Sequence, residues 1–84
     1  MDFTTIIGFI AAFLTTFAFL PQSLKTIKSK ETKDLSLITL LMIEFGLVTW
    51  LIYGLMIAST PIIAANSVSI LIITIILILK MKYK

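Results

Sequence analysis

Three long apolar runs determine what this 84-residue chain can fold into. They cover residues 3–20, 35–57 and 61–79, and the second contains one charged residue, Glu44. Because a helix needs about 20 predominantly apolar residues to cross the hydrocarbon core of a bilayer, each run is long enough to span it. A bilayer admits only helices or closed barrels, and three segments of this length do not close a barrel. We therefore predict an all-α membrane protein, a bundle of three transmembrane helices.

The composition supports a membrane location and excludes most kinds of catalytic site. Hydrophobic residues make up 60% of the chain and charged residues 13%, against about 45–50% and about 25% in soluble domains. The chain contains no Cys and no His, so it lacks thiol nucleophiles, thiolate metal ligands, the usual general base and the commonest metal ligand. We therefore expect a single small domain that is not an enzyme and that binds no metal or other cofactor.

Local signals near the ends of the runs predict approximate bounds for the helices. These bounds are about 3–28 for helix one, 36–57 for helix two and 61–80 for helix three. Asp34 or Ser36 can cap the start of helix two, and Pro61 suits the first turn of helix three. Pro21, late in helix one, removes a backbone hydrogen bond and kinks the helix. Such a kink is either a hinge or a simple bend, and the sequence alone favours the bend.

All seven basic residues are lysines, and they indicate how the chain crosses the membrane. They lie between the first two runs and at the C-terminus: Lys25, Lys28, Lys30, Lys33, Lys80, Lys82 and Lys84. The opposite side carries none, so the positive-inside rule predicts a cytoplasmic loop and C-terminal tail and an N-terminus outside. The first run lacks the positively charged start of a signal peptide, so we expect it to remain as a span. Nucleic-acid binders spread basic residues over a soluble face among aromatics, and we expect no nucleic-acid partner.

Trp50 and Asn66 are the most informative pair inside the apolar runs. Trp50 lies nine residues before Ser59 and Asn66 seven after it, so both fall roughly 10–13 Å inside the outer helix ends. An Asn at that depth needs a partner or water, and together with a Trp at the same level it suits a ligand with apolar faces and hydroxyl edges, such as a sugar ring. The alternative is a packed Trp and an Asn that joins two helices, which the residues alone slightly favour.

Helix two presents a stripe of residues spaced three and four apart, which places them on one face. The stripe consists of Thr39, Ile43, Gly46, Trp50, Tyr53 and Ile57. The stripe either lines a path through the membrane, with bulky residues above and below Trp50 as gates, or packs against another helix. Glu44 lies about 120° from this stripe, which argues against contact with a ligand. We expect Glu44 to be neutral, to hydrogen-bond Thr or Ser of a neighbouring helix or, least favoured, to couple protons.

Three helices leave little room for a lined cavity at the centre of the bilayer. A path through the membrane therefore needs a second copy of the chain, related to the first by an axis along the membrane normal, as in transporters built from parallel repeats. We expect a parallel homodimer.

Three short motifs along the chain resemble those of one known family. They are LPQSLK at residues 20–25, WLIYG at 50–54 and PIIAAN at 61–66. The first resembles the PQ-loop signature. In order and spacing, all three are similar to the motifs of the bacterial SemiSWEET sugar transporters, and the similarity covers essentially the whole chain.

The resemblance implies a three-helix unit that dimerises around a central sugar path and works by alternating access. It implies facilitated diffusion of a mono- or disaccharide across the bacterial cytoplasmic membrane, with Trp50 and Asn66 of both copies holding the sugar. Pro21 would be the hinge of helix one, with Gln22 beside it in the PQ motif. The partners implied are a second copy, the sugar and the lipid bilayer.

The resemblance also implies gates at the two ends of the path. Tyr53 and Ile57 would belong to the outer gate. Family members tend to close this gate with an Arg–Asp pair, and the matching positions here are Ile57 and Ser59, so closure must depend on Tyr53 and apolar contacts. Ile43 stands where the inner gate commonly has a Phe, and Thr39 would lie beside it.

Two other functions fit parts of the sequence. A holin-like pore former or an accessory membrane subunit would share the small size, the three spans and the Lys-rich tail. Such a protein would need neither Trp50 and Asn66 at the same depth in the membrane nor a hinge at the PQ motif. A PQ-loop carrier for amino acids should have a charged binding group, and Glu44 is the candidate for it.

Overall fold

The computed structural model describes residues 2–83, which form three α-helices and no strand. The helices are α1 over Phe3–Ser29, α2 over Leu37–Met56 and α3 over Thr60–Tyr83. Each is long and apolar enough to cross a bilayer. The predicted all-α, three-span architecture is therefore confirmed.

The α1 helix continues through Pro21 and is longer than the bilayer core requires. Its 27 residues rise about 40 Å, whereas the hydrocarbon core is about 30 Å thick. Asp2 caps its start by accepting a 2.9 Å hydrogen bond from the Thr5 amide. Hydrogen bonds from the Thr5 hydroxyl and amide hold the pKa of the Asp2 carboxyl below its ordinary value. At the other end, Lys30 adopts the left-handed conformation (φ 59°) and terminates the helix.

Both ends of α2 have identifiable caps. Ser36, one of the two predicted cap residues, accepts a 3.2 Å hydrogen bond from the Thr39 amide. At the outer end, Ala58 takes a positive φ of 54°, and the Ser59 amide then donates to the Gly54 carbonyl at 2.8 Å. This reversal satisfies carbonyl groups at the end of α2 and starts α3 one residue later.

The α3 helix lies between the other two. It packs against both α1 and α2, whereas no Cα atom of α1 lies within 8 Å of a Cα atom of α2. Small residues bring the helices close at the outer end: a Cβ atom added at Gly8 would lie 3.1 Å from Cγ of Pro61, and one at Gly54 would lie 2.7 Å from Cγ2 of Ile62. The order across the bundle is therefore α1–α3–α2.

The buried apolar core is small and lies in the half of the bundle that is nearer the α1–α2 loop. It consists of Leu40, Ile72, Ile73 and Ile76, with Phe19, Leu20, Ile27, Leu35, Leu47 and Leu77 packed around it. Most other large apolar side chains are exposed, Met56 to 80%. In water such a surface would be an aggregation hazard, so it must contact lipid or another copy of the chain.

Candidate functional site

An open groove runs between α1 and α2, with α3 as its floor. It follows directly from the helix order, because α3 keeps the backbones of α1 and α2 apart. The outer half of the groove is a cavity of about 590 Å³, and the inner half is a cavity of about 370 Å³. The two halves adjoin at Thr15, Ala65 and Asn66, which line both.

Two polar side chains, Asn66 and Thr15, lie where the two halves of the groove meet. Asn66 is half-buried, and its Nδ2 donates to the Ile62 carbonyl at 2.8 Å, which leaves its Oδ1 atom to accept. The Thr15 hydroxyl donates to the Ala11 carbonyl at 3.0 Å, so its lone pairs likewise face outward. No charged side chain is among the described residues that line the groove. Such a lining suits a neutral ligand that brings its own hydroxyl donors.

Trp50 lies beside the groove, in a shallow cavity of about 440 Å³ formed with Gly46, Thr49 and Tyr53. The rings of Trp50 and Tyr53 meet edge-on, with centroids 5.6 Å apart and an interplanar angle of 84°. Nothing lies within 4 Å of a Cβ atom placed at Gly46, so the space beside the indole is open. Trp50 is itself 56% exposed. An exposed aromatic ring with open space beside it is available for stacking on an apolar ligand face.

Within one chain, Trp50 and Asn66 line different cavities. Asn66 lines the groove, whereas Trp50 lines only the shallow cavity on α2. A single protomer therefore presents the two predicted ligand-binding groups without enclosing a ligand between them.

The predicted gate residues are divided between the same two cavities. Ile43 lines the inner half of the groove and Ile57 its outer half. Tyr53 lines the shallow cavity with Trp50. Thr39 is exposed one turn before Ile43. All four side chains are thus accessible in the single chain, at the levels that the stripe on helix two predicts.

Pro21 and Gln22 are exposed on α1 and line neither cavity. The hydroxyls of two nearby residues donate to carbonyls of their own helix: Ser23 to Phe19 at 3.0 Å and Thr26 to Gln22 at 3.1 Å. Such bonds compete with the backbone hydrogen bonds and often bend a helix. Because Pro21 also lacks an amide hydrogen, this segment of α1 combines a missing backbone hydrogen bond with two such side-chain bonds.

The structure adds lining residues that the sequence analysis did not select. Phe19, Leu47 and Ser69 line the inner groove together with Thr15 and Thr16. Their inclusion depends on which faces of α1 and α3 are left open, and that depends on the gap between α1 and α2. No residue pattern in the sequence indicates that gap.

Glu44 does not point into the groove. One of its carboxyl oxygens accepts a hydrogen bond of 2.5 Å from the Thr74 hydroxyl on α3. The other, Oε1, is buried without a donor among the described residues. A hydrogen bond to a neighbouring helix is one of the roles expected of Glu44, and it leaves the groove without a carboxylate.

Comparisons with known proteins identify the family of the chain. The family described as PQ loop repeat matches residues 3–63. The chain is 45% identical to the sugar transporter SemiSWEET of Leptospira biflexa, an alignment covering 90% of this chain and 89% of the relative. It is 44% identical to the sugar transporter SemiSWEET of Bradyrhizobium diazoefficiens, covering 93% and 91%. Because these relatives are transporters, the expectation that the chain is not an enzyme is confirmed.

The backbone of the chain is also similar to solved structures of this family. The backbone is similar to a crystal structure of SemiSWEET in the inward-open conformation, with a TM-score of 0.94, 35% identity and coverage of 99% of this chain and 89% of that one. It is also similar to the crystal structure of a bacterial homologue of SWEET transporters, with a TM-score of 0.85, 37% identity and coverage of 99% and 100%. The chain therefore belongs to the PQ-loop family and, within it, to the SemiSWEET group.

Proposed function

We propose that this protein is a sugar transporter that moves a mono- or disaccharide across the bacterial cytoplasmic membrane by facilitated diffusion. The observation that carries the proposal is the uncharged groove, with free acceptors on Asn66 and Thr15, beside an open indole face. The hydroxyls of a sugar donate to acceptors such as Oδ1 of Asn66, and its apolar ring face stacks on Trp50. An amino acid would need charged partners instead, and the described lining of the groove has none.

The working unit that we propose is a parallel homodimer. One chain leaves the groove open on one side and the shallow cavity beside Trp50 open as well. A second copy facing the first would close both and enclose the sugar between two Trp50 rings and two Asn66 amides. The exposed stripe on α2 supports this arrangement, since Ile43 and Ile57 are 42% and 51% exposed in the single chain.

The helix order supports transport by alternating access. Because the backbone of α1 packs closely against α3 and not against α2, α1 can change its tilt without separating the α2–α3 pair. The weakly hydrogen-bonded segment at Pro21 and Gln22 is the proposed hinge. Tyr53 and Ile57 close the outer end by apolar contact, and Ile43 and Thr39 close the inner end. The likeness to an inward-open structure supports a path that opens to the lysine-rich side, which we assign to the cytoplasm.

The sugar gradient alone sets the direction of transport in this proposal. Glu44, the ionisable residue inside the spans, hydrogen-bonds Thr74 on α3 and does not line the groove. The proposal therefore gives Glu44 no part in sugar binding. For such a carrier, bound sugar must not strongly favour either end state, because a large preference would stall the cycle.

Uptake of radiolabelled glucose and sucrose into proteoliposomes tests the proposal. We expect saturable uptake without a proton gradient, and its loss in Trp50→Ala and in Asn66→Ala. Leu71→Ala is the control, because Leu71 is 62% exposed, lines none of these cavities and lies about 140° around α3 from Asn66. This variant should transport like the wild type.

The same vesicles distinguish the competing functions. Release of a trapped dye without uptake of either sugar would refute the proposal and favour a pore former. Uptake that requires a proton gradient and disappears in Glu44→Gln would refute facilitated diffusion. Equal losses in Leu71→Ala and Trp50→Ala would refute the assigned binding site.

A further inference from the structure

A third cavity, unrelated to the groove, lies between α2 and α3 near their cytoplasmic ends. Its volume is about 640 Å³, and it is lined by Leu37, Leu41, Leu77, Ile78, Met81 and Lys82. It shares no described lining residue with the groove or with the cavity beside Trp50. Five of its six lining side chains are apolar, and the sixth is a lysine in the last turn of α3. The cavity is thus apolar along its length and cationic at one end.

Two lysines converge at the cationic end. The Nζ atoms of Lys82 and Lys30 each lie 5.5 Å from the centroid of the Tyr83 ring, so the ring holds both ammonium groups nearby through cation–π attraction. Lys30 is the C-cap of α1 and Lys82 belongs to α3. The end of α1 and the last turn of α3 therefore each bring one cation to the same aromatic ring.

The neighbouring loop is held against α3 by a third lysine. Lys80 Nζ donates to the carbonyl oxygens of Thr32 at 3.0 Å and Lys33 at 3.4 Å. Thr32 is only 1% exposed, so this loop is packed against the bundle. Its backbone therefore keeps Lys30 and Lys33 close to the end of α3 and maintains the local positive charge.

We propose that this cavity is a binding site for an anionic phospholipid. The segment of an acyl chain next to the headgroup lies against Leu41 and Ile78, and the phosphate is bound by Lys82 with Lys30 beside it. The shape favours this occupant, because an apolar slot inside the span with cations at one end complements a molecule that has a hydrocarbon chain and a single anionic head. The site is complete within one chain and independent of the proposed sugar transport.

Native mass spectrometry of the detergent-purified protein tests the site. Dioleoyl phosphatidylglycerol is the probe, dioleoyl phosphatidylcholine is the comparison with the same chains, and inorganic phosphate is the comparison without chains. We expect retention of phosphatidylglycerol in preference to phosphatidylcholine and no competition from phosphate. Lys82→Gln should lower that preference about fivefold, which corresponds to one lysine near an anionic headgroup.

Two further variants separate a specific site from general attraction. Lys25→Gln removes the same charge from an exposed position of α1 and should bind phosphatidylglycerol like the wild type. Ile78→Trp, at a 59% exposed position, should fill the slot and abolish retention while the helical circular dichroism remains unchanged. Equal retention of both lipids, equal effects of Lys25→Gln and Lys82→Gln, full competition by phosphate, or unchanged binding in Ile78→Trp would each overturn the proposal.

Discussion

Two glycines of α2 offer a matched test of how closely α3 packs against it. A Cβ atom at Gly54 would lie 2.7 Å from Cγ2 and 3.2 Å from Cβ of Ile62, whereas one at Gly46 has no neighbour within 4 Å. Ile62 is β-branched and has one strongly preferred rotamer in a helix, so it cannot move aside as a flexible chain end would. Gly54→Ala should therefore force the two helices apart, and Gly46→Ala should not.

The difference in melting temperature between the two variants can be worked out because one contribution, the gain in helix propensity, is common to both. Both substitutions gain roughly the same helix propensity, about 1 kcal/mol, so the remaining difference between Gly54→Ala and Gly46→Ala is the overpacking cost of about 1–3 kcal/mol. For a chain of this size, 1 kcal/mol shifts the melting temperature by about 4–8 °C. We therefore expect Gly54→Ala to melt about 4–24 °C below Gly46→Ala.

Thermal unfolding in one detergent, followed by far-UV circular dichroism at a fixed protein concentration, measures this difference. Adding Ile62→Ala to Gly54→Ala removes the obstructing methyl and should recover some of the loss. The reasoning is refuted if Gly54→Ala melts at or above Gly46→Ala. A large loss in Gly46→Ala would equally refute the statement that open space lies beside Trp50.

Three further predictions concern residues at the helix ends and in the α2–α3 contact. Thr74→Val removes the donor to Glu44 and should lower the free energy of unfolding by roughly 1–3 kcal/mol. Thr74→Ser keeps the donor and is the control. Equal melting temperatures of the two variants would contradict the role given to this hydrogen bond. Ala58→Gly relieves a left-handed backbone and should stabilise the protein by about 1 kcal/mol, measured as a higher melting temperature than that of the wild type. The lowered pKa of Asp2 means that its cap stabilises α1 at pH values above the ordinary carboxyl pKa and is lost as the pH falls through the lowered one. An NMR titration of Asp2, with hydrogen exchange of the Thr5 amide followed in parallel, measures this pH dependence of the cap. Loss of Thr5 protection near neutral pH would contradict the prediction.

The helices were predictable because a bilayer leaves an apolar run few alternatives. Runs of this length must satisfy their backbone groups internally, so three runs predict three helices without any knowledge of packing. Ser36 was predictable as a cap for a similar local reason, since its hydroxyl reaches the Thr39 amide within its own turn. Spacing within one helix also separated Glu44 from the stripe that contains Trp50, and the structure places Glu44 against Thr74 instead.

The arrangement of the helices could not be predicted in the same way. In a soluble bundle, a polar face shows which side of a helix is exposed, but here all three helices are apolar around most of their circumference. Nothing in the sequence therefore indicated that α3 separates α1 from α2, and Phe19 and Ser69 could not be recognised as groove residues. For the same reason, the level shared by Trp50 and Asn66 was predictable along the helix axes, while the cavity that each residue lines was not.

The position of α3 has a consequence for how the chain assembles as it is made. The helix that packs against both others is the last to be synthesised, and no Cα atom of α1 comes within 8 Å of a Cα atom of α2. The close backbone contacts between helices can therefore form only after the third span has entered the membrane. Tertiary structure then forms in a single late step, when Gly8 meets Pro61 and Gly54 meets Ile62 from opposite sides of the same helix.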